Sequence, residues 1–258
     1  MKRAFVIMLL ILASCVTQAP EHSMQHTMAK VMKVHADKDE LSLHDFKITF
    51  ARPTAEAGKE TELKFTILQN GKPMELKPLH EKLMHLILVR KDLNYFDHVH
   101  PVKKENGTFS IPYSFLAPGE YRLWVEFTDG TLEHIIDYPL TVEGTSELPE
   151  PDTLNGLKVE MQTNELQQDK PAKINFIITK DDTPVSITEK WLGADAHLII
   201  ISNTLDEFAH LHDVTGDNDN LLAFSYTPEY SGDYTSWVEF MHEKETRTAK
   251  FEFTIHKT

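Results

Sequence analysis

The chain has 258 residues, 41% of them hydrophobic, and a formal net charge of −14. A surface this acidic repels phosphate backbones and anionic lipid, so nucleic acid is not an expected partner. Its single cysteine excludes a disulfide framework, leaving the fold to stand on one or two hydrophobic cores, for which the length suffices.

Lys2 and Arg3 open the chain, and residues 4–13 form an apolar run. That run is too short for a membrane span of about 20 residues and reads as an export signal. It ends in Leu12-Ala13-Ser14-Cys15, which resembles the bacterial lipoprotein cleavage box. The resemblance implies removal of residues 1–14, lipidation of Cys15 and anchoring to a lipid bilayer outside the cytoplasm. Loss of Lys2 and Arg3 takes the charge from −14 to −16. Val16 is not the aspartate of the inner-membrane sorting pattern, so an outer membrane or cell surface is expected. An ordinary secretory signal with a chance cysteine is the competing reading.

Residues 15–44 are polar, lack sustained periodicity and read as a flexible tether. Met24, Met28 and Met32 are interleaved there with His22, His26 and His35. Thioether and imidazole suit soft or borderline ions, so the tether is either a metal collector or a plain spacer. Two globular repeats follow, residues 45–144 and 153–258, joined by a proline- and acid-rich linker at 145–152. Leu63, Phe65 and Ile67 align with Ile174, Phe176 and Ile178, 111 residues on. Tyr121, Trp124, Glu126 and Phe127 align with Tyr234, Trp237, Glu239 and Phe240, 113 residues on. Apolar and polar residues alternate over 63–67, 174–178 and 250–255, the period of half-buried strands. Turn pairs such as Asn70-Gly71 and Pro118-Gly119 separate them, and no segment has a sustained helical period. The expected fold is all-β: two tandem immunoglobulin-like β-sandwich domains after a lipoprotein signal and flexible tether. Tyr121 and Tyr234, just past a turn, stand where a tyrosine corner would.

Between these landmarks lie two copies of one histidine cluster. His85, His98 and His100 recur as His197, His210 and His212 with identical spacing, 112 residues apart. Residues 86–90 and 95–99 read as a hairpin; closed symmetrically, its partners have numbers summing to 185. His85 then faces His100, Ile87 faces His98, and all three imidazoles share one side of the sheet. A one-residue slip would send His85 to the other face. On the late strand, Tyr121, Leu123, Val125 and Phe127 form a core-facing set, which leaves Trp124 and Glu126 opposite. Glu126 and Glu239 are therefore candidate fourth ligands, or groups that orient a ring nitrogen. The competing reading makes the histidines structural. His80, His134, His242 and His256 have no histidine counterpart and are expected at the surface. Asp213 replaces Pro101, making the second site the less certain one.

The motifs His-Leu-Ile-Leu-Val, His-x-His-Pro and Pro-Gly-x-Tyr-x-x-Trp-x-Glu-Phe resemble bacterial exported immunoglobulin-like or cupredoxin-like domains. These are described as YtkA-like or as copper-associated lipoproteins. The resemblance implies metal handling, with His85, His98, His100 and Glu126 in the first repeat as the site. His197, His210, His212 and Glu239 are the matched positions in the second. The expected function is a membrane-anchored, extracytoplasmic metal-binding lipoprotein. It would take copper, or alternatively zinc, and buffer it or pass it to a metal-transport or cell-envelope protein. The alternative is a cell-surface interaction module for a protein or glycan. A metal-water enzyme ranks last, because no separate base or nucleophile motif accompanies the histidines.

Overall fold

The computed structural model describes residues 30–36, 40–43, 46–145, 153–215 and 221–258. The signal segment, Cys15, His22, Met24, His26, Met28 and most of the linker lie outside the described residues.

The first domain is built from β1 (Lys30–His35), β2 (Glu40–Leu43), β3 (Phe46–Ala51), β4 (Ala55–Glu56), β5 (Glu60–Gln69) and β6 (Lys72–Pro73). It continues through β7 (His85–Arg90), β8 (Phe96–Val99), β9 (Val102–Lys103), β10 (Thr108–Ser114), β11 (Gly119–Thr128) and β12 (Leu132–Glu143). The second contains β13 (Leu157–Thr163), β14 (Leu166–Gln167), β15 (Ala172–Lys180), β16 (Thr183–Pro184) and β17 (Ala196–Ser202). It ends with β18 (Phe208–His212), β19 (Leu222–Tyr226), β20 (Gly232–His242) and β21 (Glu245–His256).

In the first domain one sheet runs β2-β3-β5-β10-β9 and the other β1-β12-β11-β7-β8. The second repeats this with β13-β15-β19 facing β14-β21-β20-β17-β18. In immunoglobulin lettering, β3, β5 and β10 take the places of A, B and E. β7, β8, β11 and β12 take those of C, C′, F and G, so the Greek-key sandwich is present in both copies. The corner tyrosines close as expected: Tyr121 donates its hydroxyl proton to Ala117 O at 2.8 Å, and Tyr234 to Tyr230 O at 3.1 Å.

Each sandwich has its own core, with Phe50, Phe65 and Tyr138 among the fully buried rings of the first and Phe176, Phe224 and Phe240 of the second. A third apolar cluster lies between the domains. Ile87, Val89, Leu93, Trp124 and Ile135 of the first meet Ile199, Ile201, Leu205, Phe208 and Trp237 of the second. The outer faces of the two β7- and β17-containing sheets are thus packed together. Trp124 stacks on Phe208 at 5.6 Å, and reciprocally Trp237 on Phe96 at 4.8 Å. Leu93 and Leu205, at the tips of the β7–β8 and β17–β18 hairpins, plug this layer with φ of 60° and 63°. A branched side chain rarely adopts that left-handed conformation; here burial holds it.

The tether expectation needs correcting for residues 30–35 and 40–43, which form strands. β1 runs parallel to β12, from Lys30 opposite Leu132 to His35 opposite Asp137. β12 is a long strand whose outer side pairs with β1 over Leu132–Asp137 and with β4 at Val142 and Glu143, which shortens its open edge. A backbone-driven pairing of six residues leaves little hydrophobic pattern, which is why the sequence hid it. His35 and Arg122 both pair with the buried Asp137.

Candidate metal centre

The hairpin register is the symmetric one. Ile87 pairs with His98 and Leu86 with Val99, while in the second domain His197 pairs with His212 and Ile199 with His210. Odd-numbered residues of β7 therefore face away from the domain's own core, together with His98 and His100. β11 lies beside β7 with Glu126 opposite His85, and β20 beside β17 with Glu239 opposite His197. Met84 points into the first core.

In the first triad His85 Nδ1 lies 3.0 Å from His98 Nε2 and 3.2 Å from His100 Nε2. In the second, His197 Nδ1 lies 2.9 Å from His210 Nε2. In each triad the inward nitrogens of all three histidines fall within 4.8 Å of one another. Two ligands about 2.0–2.1 Å from a tetrahedral ion stand about 3.3 Å apart, so these spacings fit a shared cation with small movement.

The outward nitrogens are held. His85 Nε2 donates to Leu79 O at 2.8 Å and His197 Nε2 to Trp191 O at 2.8 Å. These bonds place the proton on Nε2 and leave a lone pair on Nδ1, aimed at the triad centre. His98 Nδ1 meets Glu239 Oε2 at 2.7 Å, and His210 Nδ1 meets Glu126 Oε2 at 2.6 Å. Each carboxylate thus reaches the histidine of the other domain, although its backbone is paired with its own. The hydrogen bonds of Glu126 and Glu239 thus run across the interface, while Glu126 also keeps a ligand atom within 4.8 Å of one on His85 of its own repeat.

Burial governs the electrostatics. It lowers the His85 imidazole to about 3, with the neighbouring His98 adding to the effect, and lowers His197 to about 4. His98 and His210 are lowered and Glu126 and Glu239 raised, again by burial, so each histidine–glutamate pair is driven toward neutrality.

The family model for a domain of unknown function (DUF8832) matches residues 39–144 and again 152–257. The chain belongs to the DUF8832 family. Both DUF8832 domains carry a complete histidine triad, and the linker between them is short. The YtkA-like likeness read from the motifs is not the match found, and the family description assigns no metal. No curated protein matches the chain. Among solved structures it is similar to Salmonella alpha-2-macroglobulin reacted with methylamine, at 11% identity and a TM-score of 0.31. That likeness covers 86% of this chain and 15% of the macroglobulin. It is also similar to the Escherichia coli adhesin FdeC, at 12% identity and a TM-score of 0.28, over 84% of this chain and 65% of FdeC. The D0-D1 domain of intimin matches at 10% identity and a TM-score of 0.24, over 80% and 96% of the two chains.

One residue of the first DUF8832 domain joins the centre unexpectedly. The His80 ring lies 3.4 Å from that of His212, and 5.7 Å and 5.9 Å from those of His210 and His85. It sits on a left-handed turn (φ 49°) matched in the second domain by Leu192 (φ 51°). Lacking a histidine counterpart, it offered no repeat signal. His134, also expected at the surface, is buried and stacks on Phe127 at 4.9 Å. The two Asp213 oxygens accept from the backbone N–H groups of Thr215 and Ala223, so that carboxylate holds its own loop.

Proposed function

We propose that this chain binds transition-metal ions at the centre between its two DUF8832 domains, as an extracytoplasmic, lipid-anchored protein that buffers or delivers them. The observation that carries this reading is the convergence of His85 Nδ1, His98 Nε2 and His100 Nε2, with the outer nitrogens of two of them already engaged. With Glu239 ionised, His98 keeps its proton on Nδ1, and both facing nitrogens present lone pairs only 3.0 Å apart. Such a pair repels unless a cation lies between. Three imidazoles, one of them backed by a carboxylate, are a donor set for copper or zinc. The ligand set comprises His85, His98 and His100, and His197, His210 and His212. Copper is the preferred ion and zinc the alternative. We assign the chain no catalytic role.

A second reading has its own support. With Glu239 protonated, its O–H donates to His98 Nδ1, His98 Nε2–H donates to His85 Nδ1, and His85 Nε2–H to Leu79 O. That chain of bonds is closed without an ion, and the raised carboxyl favours it. The histidines would then be the polar seam of a surface interaction module for a protein or glycan. Tandem immunoglobulin-like sandwiches serve many such roles.

Titration of the untagged protein with Cu(I), Cu(II) and Zn(II), followed by elemental analysis, separates the two. The metal reading expects two ions per chain, and one fewer in the His98→Ala/His100→Ala variant. Failure of the wild-type chain to take up any of these ions leaves the interaction module standing.

A further inference from the structure

The two triads occupy one interdomain seam, and the groups that hold their rings are exchanged across it. Glu239 is 141 residues from His98 in the chain, and Glu126 is 84 from His210. All four side chains are almost completely enclosed, so no solvent competes for these contacts. His85, Glu126 and His210 also bring ligand atoms within 4.8 Å of one another, which sets the carboxylate of one domain between both triads.

Resting on the metal-binding reading above, we propose that Glu239 is the positioning residue of the first domain's ion and Glu126 that of the second domain's. Each ion site is therefore complete only when the two domains are docked. A carboxylate on the outer nitrogen of a ligating imidazole fixes its tautomer, aims the ring and raises its basicity. Here the fold supplies that group from the opposite sandwich in both directions. The aromatic pairs Trp124–Phe208 and Trp237–Phe96 set the docking that brings it into reach.

The test uses the full-length chain and Co(II), whose visible spectrum reports ligand geometry, with Zn(II) as competitor. His100→Ala leaves the second domain's triad intact, and His212→Ala leaves the first's. In the His100→Ala background, Glu126→Gln is expected to weaken Co(II) binding about 10–100-fold and shift its spectrum. Glu239→Gln in that background is expected to change affinity less than about threefold, the scale of an indirect contact. In the His212→Ala background the two variants exchange roles. Glu→Asp at the same positions should restore part of the loss if the carboxylate is what matters. Thermal melts of each variant show whether it is folded.

If each glutamate affects the site of its own domain, or both affect both sites equally, the inference is overturned while metal binding stands. If the wild-type chain binds no Co(II) or Zn(II), the metal reading itself falls. The two failures are thus distinguishable.

Discussion

At the scale of single residues, the two halves of the centre are alike except where His80 enters. Its ring lies against that of His212 at an interplanar angle of 35°, whereas Leu192 occupies the matching turn of the second domain. His80 thus lies closest to the second triad, while its ring is also 5.9 Å from that of His85 in the first. His80→Leu, which gives the first domain the residue of the second, is expected to weaken the second site about tenfold and to affect the first, where only the His85 ring is in reach, much less. Isothermal titration of the full chain reads both sites, and equal affinities before and after the change would make His80 a bystander. The six triad histidines and both glutamates were readable from the duplication itself, because the two copies kept spacing where other positions diverged. His80 was not, since a residue without a counterpart gives no such signal. The destination of the glutamates was equally hidden. Strand alternation tells which face Glu126 occupies, but the partner on that face belongs to another domain, and no local pattern encodes it.

At the scale of strands, β7 and β17 explain why. A strand with one wet face alternates apolar and polar residues, yet His85–Arg90 and Ala196–Ser202 are apolar almost throughout. Leu86 and Leu88 enter the domain core, while Ile87 and Val89 enter the interdomain layer. A continuous apolar run of this kind signals a strand covered on both faces, but it does not say what covers the second one. The alternating strands followed from periodicity and the tyrosine corners from turn pairs, whereas the hairpin register rested on an assumed symmetric closure. β1 followed from neither signal, because pairing along an edge needs only backbone. Trp124 and Trp237 each contribute a large ring to this layer, and truncating a buried tryptophan costs about 3–5 kcal/mol. Trp124→Ala is expected to lower the unfolding free energy by about that amount and to weaken ion binding as well. Urea melts with and without added Zn(II) check both effects; a loss of stability with unchanged binding would detach the centre from the docking of the domains.

For the whole molecule, the buried titratable groups set a pH range for the ion-free protein. His85 and His197 fall from 6.5 to about 3 and about 4 on folding. Between those values and 6.5 the unfolded chain binds more protons, so stability is lost as pH drops through that window. Glu126 and Glu239 are raised from 4.5, so their contribution runs the other way: present at low pH and lost as pH rises above 4.5. More imidazoles than carboxyls are shifted, so the histidines dominate below 6.5. Metal-free stability is therefore expected to peak near pH 6.5, falling steeply on the acid side and gently on the alkaline side. Denaturant midpoints measured in chelator from about pH 4.5 to 9 would show this profile, and a flat one would mean the imidazoles are hydrated rather than buried.

The reciprocal stacking of Trp124 on Phe208 and Trp237 on Phe96 has a consequence for how the chain can change. A surface that meets an equivalent copy of itself is isologous, the arrangement of a twofold homodimer, here enclosed in a single polypeptide. In a true homodimer every substitution appears twice and the halves stay identical. Covalent fusion removes that constraint. Leu192 can stand where His80 does, and Asp213 where Pro101 does, without disturbing the contacts both halves still share. The molecule keeps the mutual support of a symmetric pair while its two ends are free to become chemically different.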